Sequence, residues 1–200
     1  MIKRKKIGLL IIISSPSGAG KTTIAKILAS KNISTELSIS LTTRQPRPEE
    51  TNGKDYKFVN LDYFKKKIRK ESFLEYAKVF ENFYGTLKSP IFNKLKKGKN
   101  IILDIDWQGA RQIKKKLPDN SLSIFILPPS LKELKKRLKK RNHTNSFVVN
   151  RMKKAKKEIM HWQEYDYVVL NSDLKKCIQT IERIIFAENN RSTRQSIISF

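Results

Sequence analysis

The sequence has few of the side chains that form disulfides and zinc sites. Its 200 residues include one cysteine, Cys177, and two histidines, His143 and His161. One cysteine excludes an intrachain disulfide and agrees with a reducing compartment, so we expect the chain in the cytoplasm. Neither histidine has a cysteine or a second histidine at the spacing of zinc ligands, which argues against a zinc site.

Acidic residues are also scarce, with 18 Asp and Glu against 43 Lys and Arg, and the formal net charge is +25. Such an excess favours anionic partners, for example nucleotides, nucleic acid or acidic surfaces. The lysines are spread along the whole chain instead of forming a tail. A lysine-rich solvated surface that needs no partner therefore explains the charge as well, and composition leaves both explanations open.

Long apolar runs are missing too. The run at the start, Ile7–Ile13, is far too short to cross a membrane. After Lys3–Lys6 it fits the beginning of a secretion signal, or else a buried parallel strand. The strand is favoured because GAGKTTIAKILAS follows, a glycine turn and then an amphipathic helix with Ile24, Ile27 and Leu28 on one face.

Apolar segments alternate with helical ones along the chain, and no internal repeat or Gly/Ser linker divides them. With 38% hydrophobic residues, a chain of this length is expected to form one domain with small insertions. Strands that alternate with helices predict an α/β fold, in which a parallel sheet is joined by right-handed crossovers. The predicted strands are Ile7–Ile13, Ile101–Ile105, Leu122–Leu127 and Tyr167–Leu170, and the predicted helices are Lys21–Lys31, Trp107–Lys116, Leu131–Lys140 and Leu174–Ala187.

Two regions interrupt this alternation. Residues 38–90 contain short aromatic-rich segments, which predict an inserted lobe of short strands and turns. Residues 130–161 predict a pair of very basic helices joined by a polar turn. The closing NNRSTRQSIISF is expected to form the end of the last helix and a tail.

The turn after the first predicted strand has a phosphate-binding pattern. The segment SPSGAGKT, Ser15–Thr22, departs from the full pattern at Ser15, where a glycine is usual. In such a loop the backbone N–H groups point at an oxyanion, and the next helix adds its positive N-terminal end. Lys21 is expected to reach the β- and γ-phosphates, and the Thr22 hydroxyl to bind Mg²⁺. The alternative is a plain glycine turn.

A second anion site is indicated downstream, in TTRQPRPEETNGKDYKFV. Arg44 and Arg47 lie close together, and Pro46 and Pro48 stiffen the backbone around them. Two preorganised guanidinium groups suit a dianionic phosphate because each makes fork-like bonds, and Tyr56 adds a phenolic donor. The alternative is a pair of ordinary surface arginines.

Further polar side chains follow in two segments. FLEYAKVFENFYGT supplies Glu75, Tyr84 and Thr86. IILDIDWQGA places Asp104 and Asp106 at the end of a strand, the edge where ligands bind in open α/β sheets. Other interpretations stay open: the glutamate as an exposed strand residue, the tyrosine as core, and either aspartate as the cap of the next helix.

In combination, these motifs resemble those of guanylate kinases over nearly the whole chain. The resemblance rests, in order, on SPSGAGKTT, TTRQPRP, NGKDYKFV, FLE, NFYGT, LDIDWQGA, IFILPPS, LKKRL and EYDYVVLNSD. It implies a P-loop NTPase-type parallel sheet with flanking helices, an inserted mixed α/β lobe that binds GMP, and a small helical lid. The implied boundaries are 38–87 for the GMP-binding lobe, 130–161 for the lid, and 1–37, 88–129 and 162–200 for the core.

The resemblance also implies the reaction, a Mg²⁺-dependent transfer of the ATP γ-phosphoryl group to GMP and dGMP in purine nucleotide metabolism. The ATP-binding residues would be Ser15, Pro16, Ser17, Gly18, Ala19, Gly20, Lys21, Thr22, Thr23, Arg137, Arg141 and Asn171. The GMP phosphate would be bound by Arg44, Arg47, Tyr56 and Tyr84, and guanine by Ser40, Glu75, Thr86 and Asp106. Residues that act on the transferring group would be Lys21, Arg44, Arg137 and Arg151.

In the same scheme, Asp104 would organise the Mg²⁺ and phosphate region beside Thr22. The partners would be the small molecules ATP and GMP, with no membrane and no obligatory nucleic acid, for a monomer or small homo-oligomer. The lid arginines lie among many lysines, so a solvated basic face is their alternative. The chain departs from the family at Asn142, where a glycine, which adopts a left-handed turn more readily, is usual.

The chemistry of the base supports a guanine acceptor independently. Guanine presents N1–H and N2–H₂ as adjacent donors, and a carboxylate accepts from both, whereas adenine has an acceptor at N1. Glu75 is the residue expected to make this distinction. Three other functions remain as alternatives: a non-catalytic protein-binding module of the same fold, a nucleic-acid-binding protein suggested by the charge of +25, and a related kinase with another phosphorylated acceptor.

Overall fold

The computed structural model describes residues 3–5, 7–140, 145–192 and 196–199, and within these ranges no helix is long and apolar enough to cross a membrane. The strands are β1 (Lys3–Lys5), β2 (Leu10–Ser14), β3 (Thr35–Leu37), β4 (Leu41–Thr42), β5 (Lys57–Phe58), β6 (Phe73–Val79), β7 (Asn82–Leu87), β8 (Asn100–Asp104), β9 (Ser121–Leu127), β10 (Tyr167–Leu170) and β11 (Ser196–Ser199). The α-helices are α1 (Lys21–Lys31), α2 (Leu61–Arg69), α3 (Lys88–Lys96), α4 (Trp107–Lys116), α5 (Leu131–Lys139), α6 (Asn145–Ile159) and α7 (Leu174–Asn189).

Five parallel strands form the central sheet, in the order β10-β9-β2-β8-β3. β2 lies in the middle and all its residues are buried. A parallel sheet is covered by helices on both faces, so its strands are continuously apolar instead of alternating. That is why the runs were visible in the sequence, and the predicted α/β fold with a parallel sheet is confirmed.

Alternate residues of β2 contribute to two separate cores. Ile11 and Ile13 pack with α1 and α7 on one face. Leu10 and Ile12 pack with α3 and α4 on the other. Successive side chains of a strand point to opposite faces, so each face has its own apolar layer. The loop that follows β2 is therefore supported by the most deeply buried strand of the sheet.

The inserted lobe has its own sheet, with the order β5-β4-β7-β6, in which β4 and β5 are parallel and the other pairs antiparallel. The pattern of short strands and turns did not indicate α2, which packs on this sheet, and the mixed α/β lobe that the resemblance implies is confirmed. Its buried Phe64 stacks on Phe73 with ring centroids 4.5 Å apart. The side chain of Asn60 caps the helix by accepting from the Tyr63 N–H.

Helices α5 and α6, in the segment expected to form the lid, pack on the loop after β2. Leu134 and Leu138 from α5 and Val148 and Ala155 from α6 form one apolar cluster with Ala19 of that loop. Both helices expose their basic faces. The two helices confirm the predicted basic helical pair. Arg141 and Asn142 lie outside the described residues.

The expected C-terminal tail is wrong for its last part. β11 pairs antiparallel with β1, which joins the two ends of the chain. Helix α7 ends at Asn189. Neither terminal segment has a long apolar run, and a pairing between residues almost 200 positions apart leaves no local pattern in the sequence.

Removal of a β2 side chain tests the double core. Ile12 is fully buried, whereas Ile33, after α1, is 91% exposed. We expect Ile12→Ala to lower the free energy of unfolding by about 2–5 kcal/mol and Ile33→Ala by less than about 0.5 kcal/mol. Urea unfolding of both variants measures this. Similar losses of unfolding free energy in the two variants would contradict the packing of β2 between two cores.

Candidate active site

A cleft of about 840 Å³ opens where the central sheet, the inserted lobe and the lid meet. Its walls come from the loop after β2, the carboxyl end of β8, strands β6 and β7, and helix α6. Most of the residues expected to bind nucleotide lie on these walls: Ser15, Pro16, Ser17, Gly18, Gly20, Lys21, Thr22, Thr23, Ser40, Arg44, Arg47, Tyr56, Glu75, Tyr84, Asp104, Asp106 and Arg151.

The loop after β2, Ser15–Gly20, has the left-handed backbone that its glycines allow. Gly18 has φ 92° and Gly20 has φ 99°. A Cβ on Gly20 would lie 2.9 Å from the side-chain nitrogen Nδ2 of Asn171 and would displace it, so space as well as conformation favours glycine there. The hydroxyl of Ser15 donates to the Pro16 carbonyl over 3.0 Å, which accommodates the side chain in place of the usual glycine.

Asp104, at the end of β8, holds the two side chains that follow this loop. Its Oδ1 is 2.9 Å from Nζ of Lys21, and its Oδ2 accepts from the Thr22 hydroxyl over 2.7 Å. Burial alone would lower the pKa of Lys21, but the attraction of Asp104 outweighs it and the pKa is raised. The lysine is therefore charged at every physiological pH.

Two of these residues, Thr22 and Asp104, also determine how a metal ion could be bound. Among the described residues, no group of three or more His, Cys, Asp or Glu side chains could form a metal site. Thr22 and Asp104 nevertheless supply a hydroxyl and a carboxylate next to each other. Mg²⁺ usually takes few protein ligands and completes its shell with phosphate oxygens and waters, so this donor pair fits it.

In the inserted lobe, Arg44 is fixed by an acid that the sequence analysis missed. Its Nη2 donates to both carboxylate oxygens of Glu50 over 2.9 Å, and Nη1 donates to the Gln45 carbonyl. The guanidinium also lies over the Tyr56 ring, 5.5 Å from its centroid. The backbone N–H of Arg47 donates to the same Glu50, while its side chain is exposed. An acid three residues after the second arginine was the available signal.

Tyr56 and Tyr84 meet edge to face in the cleft, with ring centroids 6.0 Å apart. Burial, and then the negative charge of Asp104, raise the pKa of Tyr56 to about 12. Its phenol is therefore a neutral hydrogen-bond donor. The open alternative that Tyr84 is only core does not describe it, because its half-buried side chain lines the cleft.

Glu75 is buried at the closed end of the cleft, with 3% of its surface exposed. Its Oε1 accepts from the Thr86 hydroxyl over 2.6 Å, and this hydroxyl is 3.0 Å from that of Ser40. Burial raises the pKa of Glu75 to about 7, with the Thr86 bond acting in the opposite direction. The alternative of an exposed strand residue is wrong.

Helix α4 approaches Glu75 so closely that only glycine fits at the contact. A Cβ on Gly109 would lie 2.5 Å from Oε2 of Glu75, so any other residue there would displace the carboxylate. Asp106 caps the same helix: its Oδ1 accepts from the N–H groups of Gln108 and Gly109. Of the two aspartates, Asp106 is thus the capping residue, and a contact with guanine stays a prediction.

Of the arginines expected in the lid, one contacts the loop directly and another contacts a residue that supports the loop. Nη1 of Arg151 is 3.4 Å from the Ser17 hydroxyl. Arg137 bonds Glu133 on its own helix and donates to the Asn171 carbonyl over 3.3 Å. The Asn171 side chain in turn donates to the Ala19 carbonyl, so this residue holds the loop from behind.

Four of the predicted residues that the structure describes do not line the cleft: Ala19, Thr86 and Asn171 are buried, and Arg137 is half-buried. A further contact was missed entirely: Oε2 of Glu158, in α6, accepts from the Ser17 N–H over 3.1 Å. A lone acid in a strongly basic helix was the signal. Its reach to a loop 141 positions away could not be inferred.

Ionisation of Glu75 should cost folding free energy, since its pKa is raised from 4.5 to about 7. Between those values the folded protein keeps a proton that the unfolded chain has lost. Stability should therefore fall as the pH rises through this window and level off above it. We expect Glu75→Gln to remove a fall of about 2 kcal/mol between about pH 5 and 7.5. Urea unfolding at several pH values tests this, and parallel profiles for the two proteins would contradict it.

Comparisons with known proteins agree with this geometry. Residues 8–188 match the protein family described as Guanylate kinase. A guanylate kinase of Maricaulis maris (strain MCS10) is 45% identical over 195 residues, which cover 97% of this chain and 89% of the relative. One of Paramagnetospirillum magneticum (strain ATCC 700264 / AMB-1) is 46% identical over 189 residues, 94% of this chain and 88% of the relative.

Among solved structures, the crystal structure of guanylate kinase from Anaplasma phagocytophilum has a TM-score of 0.83 at 36% sequence identity. The match covers 96% of this chain and 92% of that one. Sequence and structure thus agree over nearly the full length of both proteins. The chain therefore belongs to the guanylate kinase family.

Proposed function

We propose that this chain transfers the γ-phosphoryl group of ATP to GMP, giving ADP and GDP. One observation carries the proposal: the buried Glu75 opens into the same cleft as Lys21. An acceptor-only carboxylate suited to guanine and a lysine suited to nucleotide phosphates thus border one enclosed space. The family, whose members are named for this activity, supports the same conclusion.

On the ATP side, we infer that the N–H groups of the loop Ser15–Gly20 and the N-terminus of α1 bind the phosphates. Lys21 would exchange its bond to the Ile105 carbonyl, now 2.9 Å long, for phosphate oxygens. Asp104 would then hold Thr22 toward a Mg²⁺ ion on those phosphates. The ion, once bound, neutralises charge on the β- and γ-phosphates.

On the GMP side, we assign the acceptor phosphate to Arg44, Arg47, Tyr56 and Tyr84. The bonds of Arg44 to Glu50 orient its guanidinium before any ligand arrives, which reduces the entropy lost on binding. The phenols of Tyr56 and Tyr84 add hydrogen-bond donors. Guanine would lie against Glu75, with the Ser40 and Thr86 hydroxyls alongside.

The reaction needs no general base. The nucleophile would be a phosphate oxygen of GMP, and such a group has its second pKa near about 6, so it is ionised at neutral pH. Catalysis would then rest on holding the two phosphates in line and neutralising their charge. Lys21, Arg44 and Arg151 border the cleft, and we assign the neutralisation of this charge to them.

The lid would protect the reaction from water. With α5 and α6 closed on the loop, a bound γ-phosphoryl group would meet GMP rather than solvent. We assign this role to residues 130–161, the binding of GMP to residues 38–87 and the rest to the core. Arg137 would serve the adenine side together with Asn171. The proposed reaction assigns no further partner to the net charge of +25. The cytoplasm stays the expected compartment because the chain has a single cysteine.

A panel of acceptors tests the proposed reaction. Incubated with Mg-ATP, the protein should phosphorylate GMP and dGMP, with AMP, UMP and CMP slower by about 10⁴-fold, because a buried site made for N–H donors rejects bases that lack them. Release of ADP and nucleoside diphosphate, separated by chromatography, measures this. Equal rates for GMP and AMP, or no transfer to GMP, would refute the proposal.

Replacement of the carboxylate tests the guanine contact. Glu75→Gln has the same shape but presents donors to the guanine N–H groups, so kcat/KM for GMP should fall by about 100-fold or more. The KM for ATP should change by less than about twofold, since the phosphate loop is untouched. Glu81→Gln, the same change on the exposed turn of the same hairpin, is the matched control and should behave as wild type. A Glu75→Gln protein with wild-type GMP kinetics would contradict this assignment.

A further inference from the structure

The turn between β6 and β7 holds an aromatic residue in a backbone conformation that favours glycine. Val79 pairs with Asn82, so Phe80 and Glu81 form a two-residue turn. Phe80 has φ 54° and is 45% exposed. The left-handed region is strained for a bulky side chain, and such strain persists only where the surroundings impose it.

Two cations of the lid lie over this ring. The guanidinium carbon of Arg151 is 4.3 Å from the ring centroid of Phe80, and Nζ of Lys154 is 4.1 Å from it. Both distances are well within the range in which a cation is attracted by an aromatic face. Since Arg151 and Lys154 belong to α6 and Phe80 to the inserted lobe, the ring is a direct contact between lid and lobe.

The same two cations connect Phe80 to the phosphate loop. Arg151 reaches the Ser17 hydroxyl at 3.4 Å. Lys154 is 3.6 Å from Oε1 of Glu158, whose Oε2 accepts from the Ser17 N–H. Both routes from the ring thus end at one residue of the loop that receives the ATP phosphates.

The strands on either side of the turn lead to the other substrate. β6 contains Glu75 and β7 contains Tyr84 and Thr86, the residues assigned to GMP. Tyr84 pairs with Ala77 across the hairpin, so a ligand that orders these strands also orders the turn at their end. Phe80 therefore lies between the guanine site and the lid.

We propose that Phe80 is a positioning residue that holds Arg151 and Lys154 over the phosphate loop and so couples GMP binding to ATP binding. The inference rests on the proposed function, because it assigns the two ligands to the two sides of the ring. By linkage the coupling is reciprocal: GMP raises the affinity for ATP as much as ATP raises that for GMP. Phe80 is not among the residues that line the cleft, so we assign it no contact with either substrate.

Three substitutions at Phe80 separate this role from a structural one. Phe80→Gly relieves the left-handed backbone and removes the ring, Phe80→Leu keeps an apolar side chain without an aromatic face, and Phe80→Tyr keeps the face. Phe186→Leu, at a phenylalanine that is 73% exposed on α7, is the matched control. The measurement is the Kd of a non-hydrolysable ATP analogue with and without saturating GMP, by calorimetry, beside the thermal midpoint and steady-state kinetics.

In the wild type, GMP should lower the Kd of the ATP analogue. The ratio of the Kd without GMP to the Kd with GMP should fall by about fivefold in Phe80→Gly and Phe80→Leu. Their kcat should fall in parallel, whereas the Kd of GMP alone should stay within about twofold, since the guanine site is intact. The thermal midpoint of Phe80→Gly should not drop, because glycine suits the turn. Phe80→Tyr and Phe186→Leu should keep the wild-type ratio.

Contrary results have distinct meanings. If the wild type phosphorylates GMP and Phe80→Gly keeps the full ratio, the positioning role is wrong and the proposed function stands. The role would also be overturned if GMP did not lower the Kd of the ATP analogue in the wild type. Equal losses of thermal midpoint and of coupling in all three Phe80 variants, Phe80→Tyr included, would overturn it too. A wild type that leaves GMP untouched in Mg-ATP refutes the proposed function first, in an assay that needs no variant.

Discussion

The carboxylate of Asp104 is the contact on which the nucleotide site depends. β2 and β8 pair in parallel with Ile13 opposite Asp104, and this register brings the end of one strand beside the loop that follows the other. From there one side chain holds both Lys21 and Thr22. A register shifted by one residue would turn Asp104 toward the opposite face, so the buried apolar layers of the sheet also determine where this charge lies.

The side of the cleft that we assign to guanine depends on burial in a different way. Glu75 is enclosed by the inserted lobe and by the first turn of α4, where Gly109 leaves just enough room. Burial opposes its ionisation, while the Thr86 hydroxyl favours it. The protein thus keeps a carboxylate where folding alone would prefer a neutral group. Such a conflict between stability and polarity is typical of sites that distinguish one ligand from another.

Local patterns revealed those parts of the fold whose cause is local. The strands of the central sheet are continuous apolar runs because both of their faces are buried, and α1, α4, α5 and α7 have clear periodicity. Helix α2 was missed because it lies inside an aromatic-rich region whose short strands dominate the pattern. Glu50 and Glu158 were missed for another reason. In the sequence, an acidic residue among basic ones has the pattern of a solvent-exposed surface residue, and its partner in space is not visible.

The sequence by itself determined the α/β class, the phosphate loop, the pair of arginines and the set of polar residues suited to GMP, since motif spacing and side-chain chemistry are properties of the chain. Only the tertiary structure decided which of them meet. The bond of Glu158 to the loop, the contact of Phe80 with the lid and the choice of Asp106 as helix cap each join groups whose geometry depends on packing. The physical reason is that a strand or helix is specified by neighbours along the chain, whereas a site is specified by neighbours in space.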